Sequence, residues 1–439
     1  MIGSARSYDS IPRQWWLVIV LLIVSTLAAI DRQVIALLVD PIRKSVHITD
    51  TEISLILGAA FGLANTLFTL PAGYLADRIN RRGLLLTGAL AWSLMTMACG
   101  AAGSYGQLFL ARAGVGCGES VISPAAMSLL SSALSPERRA RGFSVFSMSF
   151  TGGSSLALIA GGLIIEAITT SGPHSLPLLG PVLPWQLTLI VIGLAGLPVS
   201  LLVLSLREPA KLAQSETRIE RREGYLTTLS MMRSRWRLYV PLLAFQIAML
   251  MLSLSYAAWL PTMVGRLWGL SYAQIGLTLG LMMLFLPPVG LWIAGHLMDS
   301  AAARRGVRGP IAVGCVATVL VAIAASATPL APTLPVFWVA FATLMLVSGT
   351  VFPLVATVTA SVTPQGSMGK VTAVQFFLTG LIAPVLGPTV IASVSDSFFS
   401  GPGALARSMS VVCAVYSAIS LFGLLAVLRG LKSEELQPP

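Results

Sequence analysis

Leu27-Ala28-Ala29-Ile30-Asp31-Arg32-Gln33-Val34-Ile35-Ala36 sets two adjacent opposite charges inside an apolar run that extends from Trp15 to Val39. A run of that length is long enough to span a bilayer. At the α-helical rise per residue, Asp31 stands roughly 24 Å along the axis from Trp15, inside a hydrocarbon layer about 30 Å thick. Neither charge reaches an interface. An ionisable pair at that depth costs several kcal/mol unless it faces protein or water and finds partners, so Asp31 and Arg32 mark a candidate pathway through the membrane.

The composition agrees. Of the 439 residues, 55% are hydrophobic and 10% charged, against about 25% charged in a soluble domain, so a polytopic membrane protein is expected. The net charge of +11 does not point to nucleic acid, because the basic residues sit in short gaps between apolar runs, where the orientation rule for membrane proteins accounts for them. Cys99, Cys117, Cys315 and Cys413 lie within apolar runs and carry no metal-site or disulfide spacing. They read as reduced packing residues. The first apolar run exceeds a signal-peptide core and has no cleavage site after it, so the N-terminus is expected to be retained. No phosphate-binding loop, nucleophile elbow or H-E-x-x-H motif is present, which argues against ATP-driven pumping or hydrolysis and for no cofactor or metal. The chain is not read as an enzyme.

Cutting at charges and Pro/Gly/Ser gaps gives twelve apolar segments, with the longest polar stretch at 207–237. An all-α protein of twelve transmembrane helices follows, in two six-helix bundles, 1–206 and 238–439, joined by a linker at 207–237. If the N-terminus is cytoplasmic, 22 of the 28 Lys and Arg fall in inner gaps and tails, four in outer gaps, and two, Arg32 and Arg112, within the membrane. That bias places both termini on the cytoplasmic side.

The two halves also repeat. Gly73-Tyr-Leu75-Ala-Asp77 followed by Arg81-Arg82-Gly83 is echoed by Gly295-His-Leu297-Met-Asp299 followed by Arg304-Arg305-Gly306, and Ser135-Pro136 by Thr363-Pro364. Two like halves around a midplane site are the architecture of alternating access. In the fourth segment, Arg112 and Glu119 are seven residues apart and share a helix face, with Gly116 and Ser123 on the same stripe, which must face the bundle interior. Gly114, Gly116 and Gly118 thin that helix for close packing, and Pro124 can bend it. An Asp31–Arg112 bridge that merely locks two helices is the structural alternative to a transport role. Burial and a neighbouring guanidinium act in opposite senses on a carboxyl's proton affinity. Asp31 or Glu119 would therefore exchange a proton whenever an arginine changes partner.

The doubled loop pattern resembles the cytoplasmic signature of the major facilitator superfamily. The resemblance covers essentially the whole chain and implies that fold. It further implies a cytoplasmic gate formed by Gly73, Asp77, Arg78 and Arg81, with Asp299, Arg304 and Arg305 in the second half. Asp31-Arg32 with Asp40 and Ile42, Ala111-Arg112 through Gly116, Gly118-Glu119-Ser120 and the loop from Gly73 to Arg78 look most like the Spinster branch of lysolipid and sphingolipid transporters. In that branch the first-helix acid is viewed as a proton acceptor and the fourth-helix Glu as a substrate or proton group. Carried over, these roles fall to Asp31 with Arg32, and to Glu119 with Arg112. Cys117 departs from the run usual before that Glu, which bears on substrate identity more than fold. Gly152-Gly153 and Gly161-Gly162 occupy the place of the superfamily's antiporter motif without its proline, and read as a packing face.

The second half offers neutral candidates for substrate contact, Tyr256, Trp259, Gln375 and Phe376, to which Ser123 adds a hydroxyl from the first half. Aromatic and Met side chains around them suit an irregular apolar ligand. The expected protein is a monomeric, proton-coupled carrier of an amphiphilic substrate of the lysolipid or sphingoid kind, surrounded by membrane lipid in a bacterial inner membrane. A carrier of small organic anions, with Arg32 and Arg112 as carboxylate clamps, and an uncoupled lipid scramblase or receptor are the alternatives.

Overall fold

The computed structural model describes residues 10–177, 180–208, 225–364 and 367–435. Among them, twelve helical spans are long and apolar enough to cross a membrane. These are α1 (Ile11–Leu37), α2 (Asp50–Ala76), α3 (Arg81–Gly100), α4 (Tyr105–Ala133), α5 (Pro136–Thr170) and α6 (Pro184–Ser205), then α7 (Trp236–Trp268), α8 (Tyr272–Arg305), α9 (Arg308–Leu330), α10 (Leu334–Val362), α11 (Met368–Phe398) and α12 (Ala404–Leu431). The protein is an all-α integral membrane protein, and its β-structure among the described residues is one short hairpin, His174–Leu176 with Gly180–Val182.

Local chemistry starts and stops these spans. Thr49 and Glu52 open α2 with a capping box: the Thr49 hydroxyl accepts from the Glu52 amide at 3.1 Å, and the Thr49 amide donates back to the Glu52 carboxylate at 2.8 Å. Asn80 Oδ1 accepts from the Gly83 amide at 2.8 Å to start α3. The spans α4 and α10 are each broken once. α4 is interrupted between Glu119 and Ile122, and α10 between Ser348 and Val351. Each break falls four residues before a proline, Pro124 and Pro353, where the pyrrolidine ring would clash with the carbonyl and removes the hydrogen bond to it. The shared break extends the internal repeat. Counting back from the prolines, Arg112 and Glu119 correspond to Phe341 and Ser348, so these two charged positions of α4 are neutral in α10.

The chain divides into two compact units, Met1–Thr217 with Gly269–Leu281, and Arg218–Trp268 with Met282–Pro439. Gly269–Leu281, expected with the second bundle, packs in the first unit. Glycines allow that approach: a Cβ on Gly276 would collide with the Leu158 carbonyl, and one on Gly280 would stand 2.7 Å from the Ser155 carbonyl. Most of the expected linker, residues 209–224, lies outside the described residues. In the first unit α1 lies along α5, and α3 packs against α4 and α6. Gly153 and Gly161 let α5 approach α1 on either side of Asp31, where added Cβ atoms would stand 3.0 Å from Ala29 Cβ and 2.5 Å from Val34 Cγ2. In the second unit α7 packs against α11 and α12. Large exposed side chains such as Leu110, Leu163, Trp292 and Phe422 give both units apolar outer faces, as a lipid-solvated protein requires.

Candidate functional site

Asp31 and Arg32 are neighbours in sequence but project to different partners. The Asp31 carboxylate is fully buried and accepts from two groups, Arg112 Nη1 at 3.1 Å and Thr96 Oγ1 at 2.9 Å. Arg32 donates through Nη2 to Glu119 Oε2 at 2.6 Å. Two ion pairs therefore cross between α1 and α4, and their four charges sum to zero. Burial divides them: both side chains of the Asp31–Arg112 pair are sealed, whereas Arg32 is 47% exposed over a Glu119 side chain that is 1% exposed.

Phe61 links the pairs. Its ring lies 4.9 Å from the Arg32 guanidinium carbon and 5.4 Å from that of Arg112, within cation–π range of both. Phe61 directly follows a π-helical turn, Leu55–Ala60, a distortion that often marks functional sites. Gly116 makes the approach possible, since a Cβ there would stand 2.5 Å from the Phe61 carbonyl, and Asn65 Nδ2 ties α2 to the Gly116 carbonyl at 3.3 Å. Gly118 does the same toward α3, where a Cβ would meet the Trp92 amide at 2.6 Å.

The polar atoms left over are telling. Glu119 Oε1 and Arg112 Nε are buried without a hydrogen-bond partner. An unpaired carboxylate oxygen in a buried position is costly, and it leaves Glu119 able to accept a proton or a donor without breaking an existing bond. Asp31 has both oxygens engaged. The site can therefore hold an anion on the open side of Arg32 and a proton on Glu119, while the Asp31–Arg112 pair holds the helices in place.

The structure brings Asp31, Arg32, Arg112 and Glu119 together. Ser123 is exposed and lies just beyond the break in α4. Thr96 and Phe61 were missed from sequence; a single hydroxyl and a single aromatic in apolar spans carry no distinguishing pattern. In the second unit, Tyr256 and Trp259 pack internally rather than offering free polar groups. The Tyr256 hydroxyl donates to the Ala325 carbonyl at 2.5 Å and its ring stacks on Phe341, and Trp259 Nε1 donates to the Pro388 carbonyl at 2.9 Å. Gln375 is buried, accepts from Thr359 Oγ1 at 3.3 Å and keeps an unpartnered Nε2, and Phe376 is exposed.

The loop residues take distinct places. Arg81 is buried and donates to Glu208 Oε1 at 2.7 Å and to Ser132 Oγ at 2.6 Å, while Glu208 Oε2 accepts from the Arg82 amide at 2.9 Å. This ties the α2–α3 turn to the ends of α4 and α6 within the first unit. Arg78 lies over the Tyr74 ring at 4.3 Å, and Gly73 has nothing within 4 Å of an added Cβ. The Asp77 side chain lies outside the described residues. Asp299, Arg304 and Arg305 are exposed near the end of α8.

The Major Facilitator Superfamily profile matches residues 21–388. An MFS-type efflux pump of Mycolicibacterium smegmatis (strain ATCC 700084 / mc(2)155) is 27% identical over 419 residues, 94% of this chain and 91% of that one. Protein spinster homolog 1 of Xenopus tropicalis is 29% identical over 198 residues, 44% of this chain and 35% of that one. Among solved structures, a bacterial homolog of the human lysosomal transporter Spinster, in an inward-facing and occupied conformation, has the same fold, with a TM-score of 0.80 at 20% identity and coverage of 98% of this chain and 100% of that one.

Proposed function

The chain belongs to the major facilitator superfamily of membrane transporters, and from that premise we propose that it carries an amphiphilic, lipid-like substrate by proton-coupled alternating access. The observation that carries this reading is the asymmetry of the two ion pairs. Arg32 is half exposed and held by a carboxylate whose second oxygen has no partner. An anionic head group arriving at Arg32 competes with Glu119 for the same guanidinium. When Glu119 takes up a proton, Arg32 is released to the head group, and the two events are linked through one cation. Glu119 is thus the proton-carrying acid, and Asp31 with Arg112 positions the α1–α4 pair.

The Spinster-type substrate class is supported by the similarity of 44% of this chain to protein spinster homolog 1, and by the Asp31-Arg32 and Gly118-Glu119 motifs. Gln375, with a free buried amide donor beside exposed Phe376, is the proposed contact from the second unit. Tyr256 and Trp259 are proposed to complete the second-unit wall from the same packed unit. The cytoplasmic gate is assigned to Gly73, Asp77, Arg78 and Arg81, and to Asp299, Arg304 and Arg305. The protein is placed in a bacterial inner membrane as a monomer with both termini inside.

Thermal unfolding of the detergent-purified protein tests the substrate class. A single-chain lysophospholipid at about 100 times its Kd should stabilise the fold by about 2.7 kcal/mol, read as a raised Tm, because a ligand bound only to the folded state shifts unfolding by mass action. Small carboxylates such as hexuronates should leave Tm unchanged. The opposite ranking would establish the organic-anion carrier instead.

A further inference from the structure

We propose that the junction between the short helix Tyr225–Ser234 and α7 is a binding site for the head group of an anionic phospholipid, separate from the transported substrate. The helix ends at Ser234, the chain turns at Arg235, and α7 begins at Trp236. That turn is held from one side: Arg235 Nη1 donates to the Val362 carbonyl at 3.1 Å, and the Tyr239 hydroxyl is 3.0 Å from Thr363 Oγ1. Thr228 is also buried. The other side is left open. Leu229 is 46% and Trp236 57% exposed, flanked by exposed Arg233 and Arg237, with the Arg237 guanidinium carbon 5.8 Å from the Trp236 ring centroid.

Internal packing gives no reason for two large apolar side chains to stand beside two arginines that make no ion pair among the described residues. A lipid does. Trp favours the head-group layer, where its ring is apolar and its N–H is wet. Arginine offers a planar fork that matches a phosphate, and basic residues next to a membrane span are drawn to anionic lipid. Leu229 and Trp236 then meet the upper acyl chain while Arg233 and Arg237 meet the phosphodiester. A free phosphate ion would use the arginines but leave the apolar pair unoccupied, so the lipid is the occupant that accounts for all four residues. The site lies wholly in the second unit and does not depend on the proposed substrate.

The full chain is reconstituted in nanodiscs of phosphatidylcholine alone and of phosphatidylcholine with phosphatidylglycerol. Tm is measured in each, and retained lipid is counted by native mass spectrometry. Phosphatidylglycerol should raise the wild-type Tm and remain bound, and Arg233→Gln with Arg237→Gln should abolish the Tm response. Retention should weaken roughly fivefold for each arginine lost. Arg233→Lys with Arg237→Lys should keep most of the response, and Trp236→Leu should weaken retention with both charges intact. Inorganic phosphate in phosphatidylcholine discs should leave Tm unchanged. An undiminished phosphatidylglycerol response in the double Gln variant would overturn the proposal, as would a phosphate-induced shift equal to that of the lipid. If the double Gln variant does not fold, the single Arg237→Gln and Trp236→Leu variants decide: unchanged retention in both overturns the site.

Discussion

Arg112→Leu should destabilise the protein by about 3–5 kcal/mol, the usual cost of stranding one member of a buried ion pair, and Asp31→Asn in the same chain should restore most of the loss. Arg112 is the only charged partner that Asp31 has among the described residues, and without it a fully buried carboxylate keeps only the Thr96 hydroxyl. The double variant removes both charges together, so nothing is left uncompensated. Thermal unfolding in detergent measures all three variants. Two single variants that each match the wild type would show that the pair contributes nothing to holding α1 against α4. The rescue separates a structural pair from a transporting one, since a pair needed directly for transport would recover stability in the double variant without recovering uptake.

Arg32→Gln should act in the opposite manner, with little effect on folding and a large effect on ligand. Arg32 is half exposed, so its own removal costs little, and the buried Glu119 left without a cation is relieved by taking up a proton, as the coupling mechanism requires. A charge-assisted hydrogen bond contributes about 1.5–3 kcal/mol, so affinity for an anionic amphiphile should fall by roughly ten- to a hundredfold. The ligand-induced rise in Tm should shrink accordingly. Binding by Arg32→Gln at wild-type affinity would remove Arg32 from the head-group site. The phenyl ring of Phe61 lies within cation–π range of both guanidiniums, and each of them pairs with a different acid.

The fold was legible because lipid imposes a strong rule on sequence. Every span must satisfy its backbone internally and present an apolar face, so segment number and type follow from hydropathy, and the doubled Gly73 and Gly295 loops point to the repeat. The four charges of the site were equally conspicuous, since an ionised side chain in an apolar run has few explanations. Their depth anticipated Asp31 with Arg112. What sequence could not show was the second pairing, Arg32 with Glu119, or the hydroxyl and ring that complete the site. Thr96 and Phe61 are ordinary residues for a membrane helix, and only their position beside the charges gives them a role. Ser123 follows the interruption of α4 at Ser120 and Val121, which the stripe through Arg112 and Glu119 does not reveal from sequence. Tyr256 and Trp259 carry amphipathic side chains that suit a cavity wall in sequence, and that same character lets them satisfy carbonyls on α9 and α11 from within the packed unit.

Coupling requires Glu119 to exchange a proton as Arg32 changes partner. Uptake into proteoliposomes under an imposed pH gradient, compared between wild type and Glu119→Gln, tests this most directly. Glutamine keeps the shape of the side chain and still accepts from Arg32 through its carbonyl, but it cannot bind and release the proton. Wild-type uptake should follow the gradient, and the Glu119→Gln protein should transport at a rate indifferent to it. Uptake by Glu119→Gln that responds to the gradient as the wild type does would contradict the mechanism.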